Sequence, residues 1–450
     1  MIKLFNLEKS LFTRFRNTLY ALLLAGLTAT ACQSRVGTAV TPSVFVPPPV
    51  YPTVTATTAS IPSLSPSPEA TVSDLIPPVP VLSPIPEAVW TYETGAAIWG
   101  TPAVSESSVY FGSDDGNLYS LDAQDGALKW SFQTQGIVRS RPAIVGDLIY
   151  FSSDDGYLYV LDVQSGTQVW RTDIGNYLPR DERVNLGTDT SPTGWDYKQS
   201  SPVVEDGRVF IGSLDGKVYA LAADTGAVLW MYQTGQKVRA TPVLADGVLY
   251  IGSWDKTMYA LDTQTGQLLW NVPVRGEVQT TALVIRDLVI TASRRASVMA
   301  LDAQTGEMRW EQRYGDNMWV ESSPLLVDNV IYIGSSGKQP IKGFDVRTGN
   351  IHTFFFTEAY NLSTPTVSND ILLIGGMSFV ADENVGGLYG LRLVDGKFTD
   401  PKQAYWYFPV LEQEAAERNW SGVASSPVIQ DGIVYFGGLD GSLYAVEISR

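Results

Sequence analysis

The chain has 450 residues and a net charge of −16, with 44% apolar and 17% charged side chains. That balance suits a soluble globular protein and argues against a nucleic-acid or anionic-membrane surface. One His and one Cys leave little room for nucleophilic, zinc or redox chemistry, so no catalytic residue and no metal site is expected.

Residues 1–32 carry a leader pattern. Lys3, Lys9, Arg14 and Arg16 precede an apolar run at Tyr20–Leu27, followed by Ala29-Thr30-Ala31-Cys32. A basic head, a short apolar core and small residues make a secretory signal, too short to span a membrane stably. Small residues directly before Cys resemble the bacterial lipobox, and that resemblance implies a lipidated Cys32. Ala29 departs from the Leu such sites prefer. A cut at Ala31 that leaves an ordinary thiol, or an uncleaved anchor, are the plainer alternatives. Residues 33–87 are rich in Pro, Ser, Thr and Val, as in Phe45-Val46-Pro47-Pro48-Pro49-Val50-Tyr51-Pro52. Such a stretch has no core-forming pattern and reads as an extended linker.

From residue 88 a nine-residue pattern, Asp-x-x-Thr-Gly-x-x-x-Trp, recurs. Asp262, Thr265, Gly266 and Trp270 are one copy, and Asp302, Thr305, Gly306 and Trp310 another. Copies ending at Trp130, Trp170 and Trp230 vary single positions, and the copy at Asp345, Thr348 and Gly349 has Thr353 in place of Trp. Trp230, Trp270 and Trp310 are spaced by 40 residues, the mark of one repeated supersecondary unit. Within Lys237–Gly276, runs of four to six apolar or alternating residues lie between Asp/Gly turns. They predict four antiparallel strands, A to D. Gly266 is expected at positive φ, Asp262 and Thr265 bonding turn backbone, and Trp270 in the seam between units. Trp90, Trp130, Trp170, Trp230 and Trp310 are expected in the same docking role.

Pro102, Pro142, Pro202, Pro242, Pro324, Pro365 and Pro427 mark strand A, with Ala282 at the equivalent place in the fifth unit. Eight units follow, and the last ends before its own strand D. Val89-Trp90-Thr91-Tyr92 matches Leu229-Trp230-Met231-Tyr232 in register. The expectation is an all-β, eight-bladed β-propeller over residues 88–450, built of four-stranded antiparallel blades, its ring closed by the N-terminal strand.

The repeat and its Trp resemble the pyrroloquinoline-quinone-type propellers across residues 88–450. The resemblance implies one of two branches. Quinoprotein dehydrogenases carry a quinone, usually beside an adjacent Cys pair, with a calcium held by acidic and amide side chains. Lipoproteins similar to BamB are eight-bladed scaffolds of outer-membrane protein assembly, without a cofactor. The leader, the eight blades and the lack of a Cys pair favour the second. It implies an exported, lipid-anchored, non-enzymatic monomer on the extracytoplasmic side of a bacterial membrane, with a protein partner and no cofactor or nucleic acid. A quinone-binding dehydrogenase or sensor, or a cell-wall glycan binder, are the competing readings. Asp114-Asp115-Gly116 and Asp154-Asp155-Gly156 read as B–C turn chemistry rather than calcium ligands. Asp382-Glu383-Asn384, in an inserted loop, is a weak ion candidate.

The D–A and B–C loops share one face of such a ring, and it is the elaborated one. Trp170 to Pro202 spans 32 residues and Trp406 to Pro427 spans 21, against 12 for Trp130 to Pro142. The long B–C loop of blade seven joins them there, while an insertion near Asp400-Pro401 falls on the other side. Long loops on a rigid scaffold are where binding is expected. Three residues before each Pro stand Trp99, Arg139, Gln199, Arg239, Glu321, Leu362 and Ala424, with Gln279 counted from Ala282. A packed core would not select two Arg, two Gln and a Glu. They are read either as a solvated channel mouth or as a ring for an anionic or carbonyl-bearing group, with Trp99 offering a stacking face. Trp195, Trp319 and Trp420, in D–A loops, are candidates for a partner-binding rim.

Overall fold

The computed structural model describes residues 86–177, 198–295, 297–315, 319–336, 340–378, 386–410 and 421–448. Cys32, Trp195, Trp420 and Asp382-Glu383-Asn384 lie outside them. No helix among the described residues is long and apolar enough to cross a membrane.

One regular blade shows why the repeat folds as it does. In blade 4, strands Val243–Ala245, Val248–Ser253, Thr257–Asp262 and Leu268–Pro273 pair antiparallel in sequence order. Asp246 and Gly247 both take positive φ in the A–B turn, as a tight hairpin of matching twist requires. In the C–D turn, Asp262 Oδ1 accepts from the Gln264 and Thr265 N–H groups and from the Thr265 hydroxyl, at 3.1, 2.8 and 2.7 Å. The Thr265 bond leads those that hold this carboxyl below the usual range. A bulge between Ala260 and Leu261 then leaves Leu269, just before the Trp, unpaired. The same bulge in blade 6 falls at His352.

The Trp completes the motif in the neighbouring blade. Trp230 Nε1 donates to the Thr263 carbonyl at 3.0 Å. Its ring lies against Gly266, where φ is +70° and a Cβ would come within 2.6 Å of the ring. Trp90, Trp130, Trp170, Trp270 and Trp310 dock identically on Ala123, Val163, Ala223, Ala303 and Val346, at 2.9–3.2 Å. Each Trp therefore reads the next copy of its own motif, and the core lies in the seams. Phe210, Val218 and Ala220 of blade 3, for example, pack on Leu249, Ile251 and Leu261 of blade 4.

Eight such sheets make an eight-bladed propeller. Ala88–Glu93 pairs with Ser442–Glu447 as the outer strand of blade 8, beside Ile433–Gly437 and Val428–Gln430. Thr94 then bonds the Gly441 carbonyl, 347 residues away, through both its N–H and its hydroxyl.

Blades 6 and 7 depart from the pattern together. Thr353 cannot dock as a Trp does, and the C–D insertion of blade 7 supplies a substitute. Lys397–Phe398 pairs with the end of Gly387–Val394, ahead of the main outer strand Trp406–Pro409. The Phe398 N–H donates to Thr353 Oγ1 at 3.2 Å. Its ring packs edge-on against Tyr332 and Phe355 of blade 6. The insertion near Asp400-Pro401 is thus a seam filler, which is why it sits on the side away from the elaborated loops.

Candidate functional site

Three residues lead the inner strand of each blade, ahead of its Pro or, in blade 5, Ala282. The middle residue fastens strand A to strand B. Ser140, Ser200, Ser363 and Ser425 each accept from a strand-B N–H, at Ser152, Gly212, Gly375 and Gly437. The residue next to Pro reaches sideways to the neighbouring blade. Arg141 N–H donates to Ser201 Oγ, Ser201 N–H to Thr241 Oγ1, Thr281 N–H to Ser323 Oγ and Thr364 N–H to Ser426 Oγ, at 2.9–3.1 Å. These bonds make a collar of hydroxyls round the channel.

The third position is the ring found in the sequence, and the structure brings Trp99, Arg139, Gln199, Arg239 and Gln279 together on one cavity. The cavity spans about 620 Å³ including its open mouth. Glu321 stands behind that wall, fully buried. The ring does not stand alone. Arg139, Gln199, Gln279 and Glu321 each meet a B–C residue of the preceding blade. Arg139 forms a fork with Asp114, Nε to Oδ1 at 2.7 Å and Nη2 to Oδ2 at 2.5 Å. Gln199 Nε2 donates to Asp154 at 2.9 Å, while its Oε1 accepts from the Arg139 and Ser140 N–H groups. Gln279 Oε1 accepts from Trp254 Nε1 at 3.2 Å, and Glu321 pairs with Arg294 at 2.8 Å. Bidentate and charge-assisted bonds of this kind fix orientation as well as charge.

The B–C partners were not picked out from the sequence. Asp115, Asp155 and Asp255 do the expected turn work, each accepting a Tyr hydroxyl four residues on at 2.6–2.7 Å. Asp114 and Asp154 do not: each serves the ring of the next blade. The available signal was a spacing, 25 residues from Asp114 to Arg139 and from Trp254 to Gln279.

The aromatic residues also differ from an open rim. Trp99 is buried, with the Arg139 guanidinium 4.8 Å from its ring centre. Arg294 lies between Trp254 and Trp319, at 4.8 and 4.4 Å. Trp99 and Trp319 thus have a ring face already taken by an arginine. Lys198 was missed as well. It lines the cavity and its Nζ donates to the Glu321 backbone carbonyl. Burial, with the positive charge of Arg294 adding to it, pulls the amine down to about 7.

Two arcs result. Blades 2–5 give the mouth Arg139, Gln199, Arg239 and Gln279. On the other side Trp99 and Leu362 pack with Met377, and Ala424 and Leu439 lie against them. A family model described as outer membrane protein assembly factor BamB matches residues 87–185, 154–397 and 272–450. The chain belongs to this family. BamB from Moraxella catarrhalis superposes on it with a TM-score of 0.54 and 23% identity, over 64% of this chain and 83% of that one. The computationally designed Ika8 protein gives 0.61 at 16% identity, over 80% and 99% of the two chains. Quinohemoprotein alcohol dehydrogenase from Comamonas testosteroni gives 0.60 at 13%, over 81% and 77%. At these identities the likeness speaks for shared architecture alone. No curated protein sequence matches the chain.

The calcium of the dehydrogenase branch does not fit this donor set. The described cavity lining holds cations, amides and hydroxyls but no carboxylate. Among the described residues, no three His, Cys, Asp or Glu side chains gather to hold a metal ion.

Proposed function

We propose that this chain is an exported, lipid-anchored propeller scaffold that holds a protein partner on its D–A/B–C face, works without a resident cofactor and catalyses no reaction. The observation that carries this reading is the commitment of the inner ring. Arg139, Gln199, Gln279 and Glu321 are each engaged by a B–C residue, which makes that face a rigid platform rather than a set of groups poised for chemistry. Membership of a family described as an outer-membrane assembly factor supports it, as does the length of the loops on that face.

The test uses the full chain, solubilised from membranes and crosslinked to what it holds. Shortening the insertion between Tyr177 and Lys198 should lower partner recovery at least tenfold, while changes in the Asp206-Gly207 turn on the opposite face leave it intact. Equal losses from both faces would overturn the assignment. Cys32→Ser should move the protein from the membrane pellet to the soluble fraction. Alcohol oxidation by protein supplied with pyrroloquinoline quinone and calcium would replace the scaffold reading with an enzymatic one.

A further inference from the structure

Beneath the ring, the cavity is lined by donors. Four collar hydroxyls, those of Ser201, Thr241, Ser323 and Ser426, use a lone pair to accept a backbone N–H. A hydroxyl that accepts still has its own hydrogen to give. Among the described residues none of these four O–H groups donates to a protein acceptor, and all four line the cavity. Arg141 adds a guanidinium. It is exposed to the water of the cavity yet surrounded by protein, which lowers it from its ordinary value. Lys198 adds an amine at the same wall. Among the described residues, neither cation has a carboxylate within ion-pair distance. Arg139, by contrast, is matched by Asp114.

The lining therefore offers cations and O–H groups with no carboxylate, inside a chain of net charge −16. Such a hollow concentrates anions, and its low-dielectric walls strengthen each contact. At the level of the ring the opposite arc, Trp99, Leu362 and Ala424, is apolar and lines the same space, with the collar hydroxyls of Thr364 and Ser426 two residues further along their strands. A ligand must satisfy both sides at once. Small inorganic anions meet only the first.

We propose that the channel is a binding site for a carboxylate carried on an apolar group, held by Arg141, Lys198 and the hydroxyls of Ser201 and Ser426, with the apolar group against Trp99 and Leu362. Two sources carry this chemistry, a free aliphatic acid or the C-terminal carboxylate of a polypeptide ending in an apolar residue. The site is independent of partner capture by the outer loops. Protonation of Lys198 strengthens it. Arg294 with its partner Glu321 lies behind the amine, and Arg139, Arg141 and Arg239 line the same cavity. A bound carboxylate offsets that positive field and holds the proton on, so binding should weaken as pH rises through about 7.

Titration calorimetry on the detergent-solubilised full chain tests the proposal, with four probes at pH 6.5 and 8.5: hexanoate, hexanol, and a pentapeptide ending in Leu as its free acid and as its amide. Hexanoate should bind at least tenfold tighter than hexanol, and tighter at the lower pH. The free-acid peptide should exceed its amide by a similar factor if a chain terminus is the occupant, and fall below hexanoate if a small acid is. Arg141→Met should weaken the carboxylate probes at least tenfold with an unchanged melting temperature. Ser201→Ala with Ser426→Ala provides a second test that removes no charge, with an expected loss of threefold or more. Equal binding of hexanoate and hexanol, or hexanoate binding that survives both variants, would overturn the site. Loss of carboxylate binding with partner capture intact separates this site from the loop face.

Discussion

The outer seams and the inner ring are built from the same repeats and obey opposite rules. At the seam, every docking Trp meets the same backbone carbonyl and the same Gly in the next unit. At the ring, each contact between units is chemically different: an Arg–Asp fork, an amide on a carboxylate, an indole on an amide, a second ion pair. The repeat specifies architecture where its copies agree. Where they differ, the scaffold has been released to specify something else, because a Trp-docked seam fixes blade spacing without help from the channel.

The largest effect that would test this comparison comes from the closing strand. Deleting residues 88–93 removes Trp90 and leaves Ser442–Glu447 as a bare edge, so thermal melting should lose cooperativity and light scattering should rise. A deletion variant that melts like the parent would break the seam argument. Next, Trp270→Ala should cost about 3–5 kcal/mol in denaturant titration, from a buried indole and its bond to Ala303.

The ring should respond by pairs rather than by residues. Asp114→Ala leaves the Arg139 charge buried, at a cost of about 3–5 kcal/mol. Asp114→Leu combined with Arg139→Met should recover most of that, since an apolar pair of similar size carries no desolvation penalty. If the double change costs as much as the single, the ring is as structural as the seam. The smallest effect concerns Lys198. Its amine sits at about 7 in the fold, against an ordinary lysine value of 10.5 when unfolded. Below pH 7 both states hold the proton and the fold bears the full cost. As pH rises from 7 towards 10.5 the folded amine is neutral and that cost fades. Lys198→Met should therefore raise the melting temperature at pH 6, by about 1–3 °C, and by less at pH 9.

What could be read from the sequence follows the same division. Asp262, Thr265, Gly266 and Trp270 announce their roles because the copies repeat them at fixed spacing. Counting back three from each Pro, or from Ala282 in the fifth blade, also finds Arg139, Gln199 and Gln279, since that position is fixed by the strand. Their partners were hidden. Asp114, Asp154, Trp254 and Arg294 hold equivalent places in the B–C loops, but only the first two share a side-chain type, so no motif collects all four. Asp114 looked like its neighbour Asp115, which does turn work. Phe398 was hidden for another reason. It repairs a missing Trp at Thr353 from the next blade's insertion, a contact that no single repeat contains.

The clasp of Ala88–Glu93 against Ser442–Glu447 also sets a timetable. A ribosome makes the first strand of the ring long before its partner. At about 5–20 residues per second, the 347 residues between Thr94 and Gly441 take about 20–70 s to appear. Throughout that interval Trp90 and Tyr92 have no partner strand in their own sheet, whatever the other blades have done. The seam that shuts the circle is the one seam whose two sides are born at opposite ends of synthesis, so the nascent chain spends most of its making as an open arc.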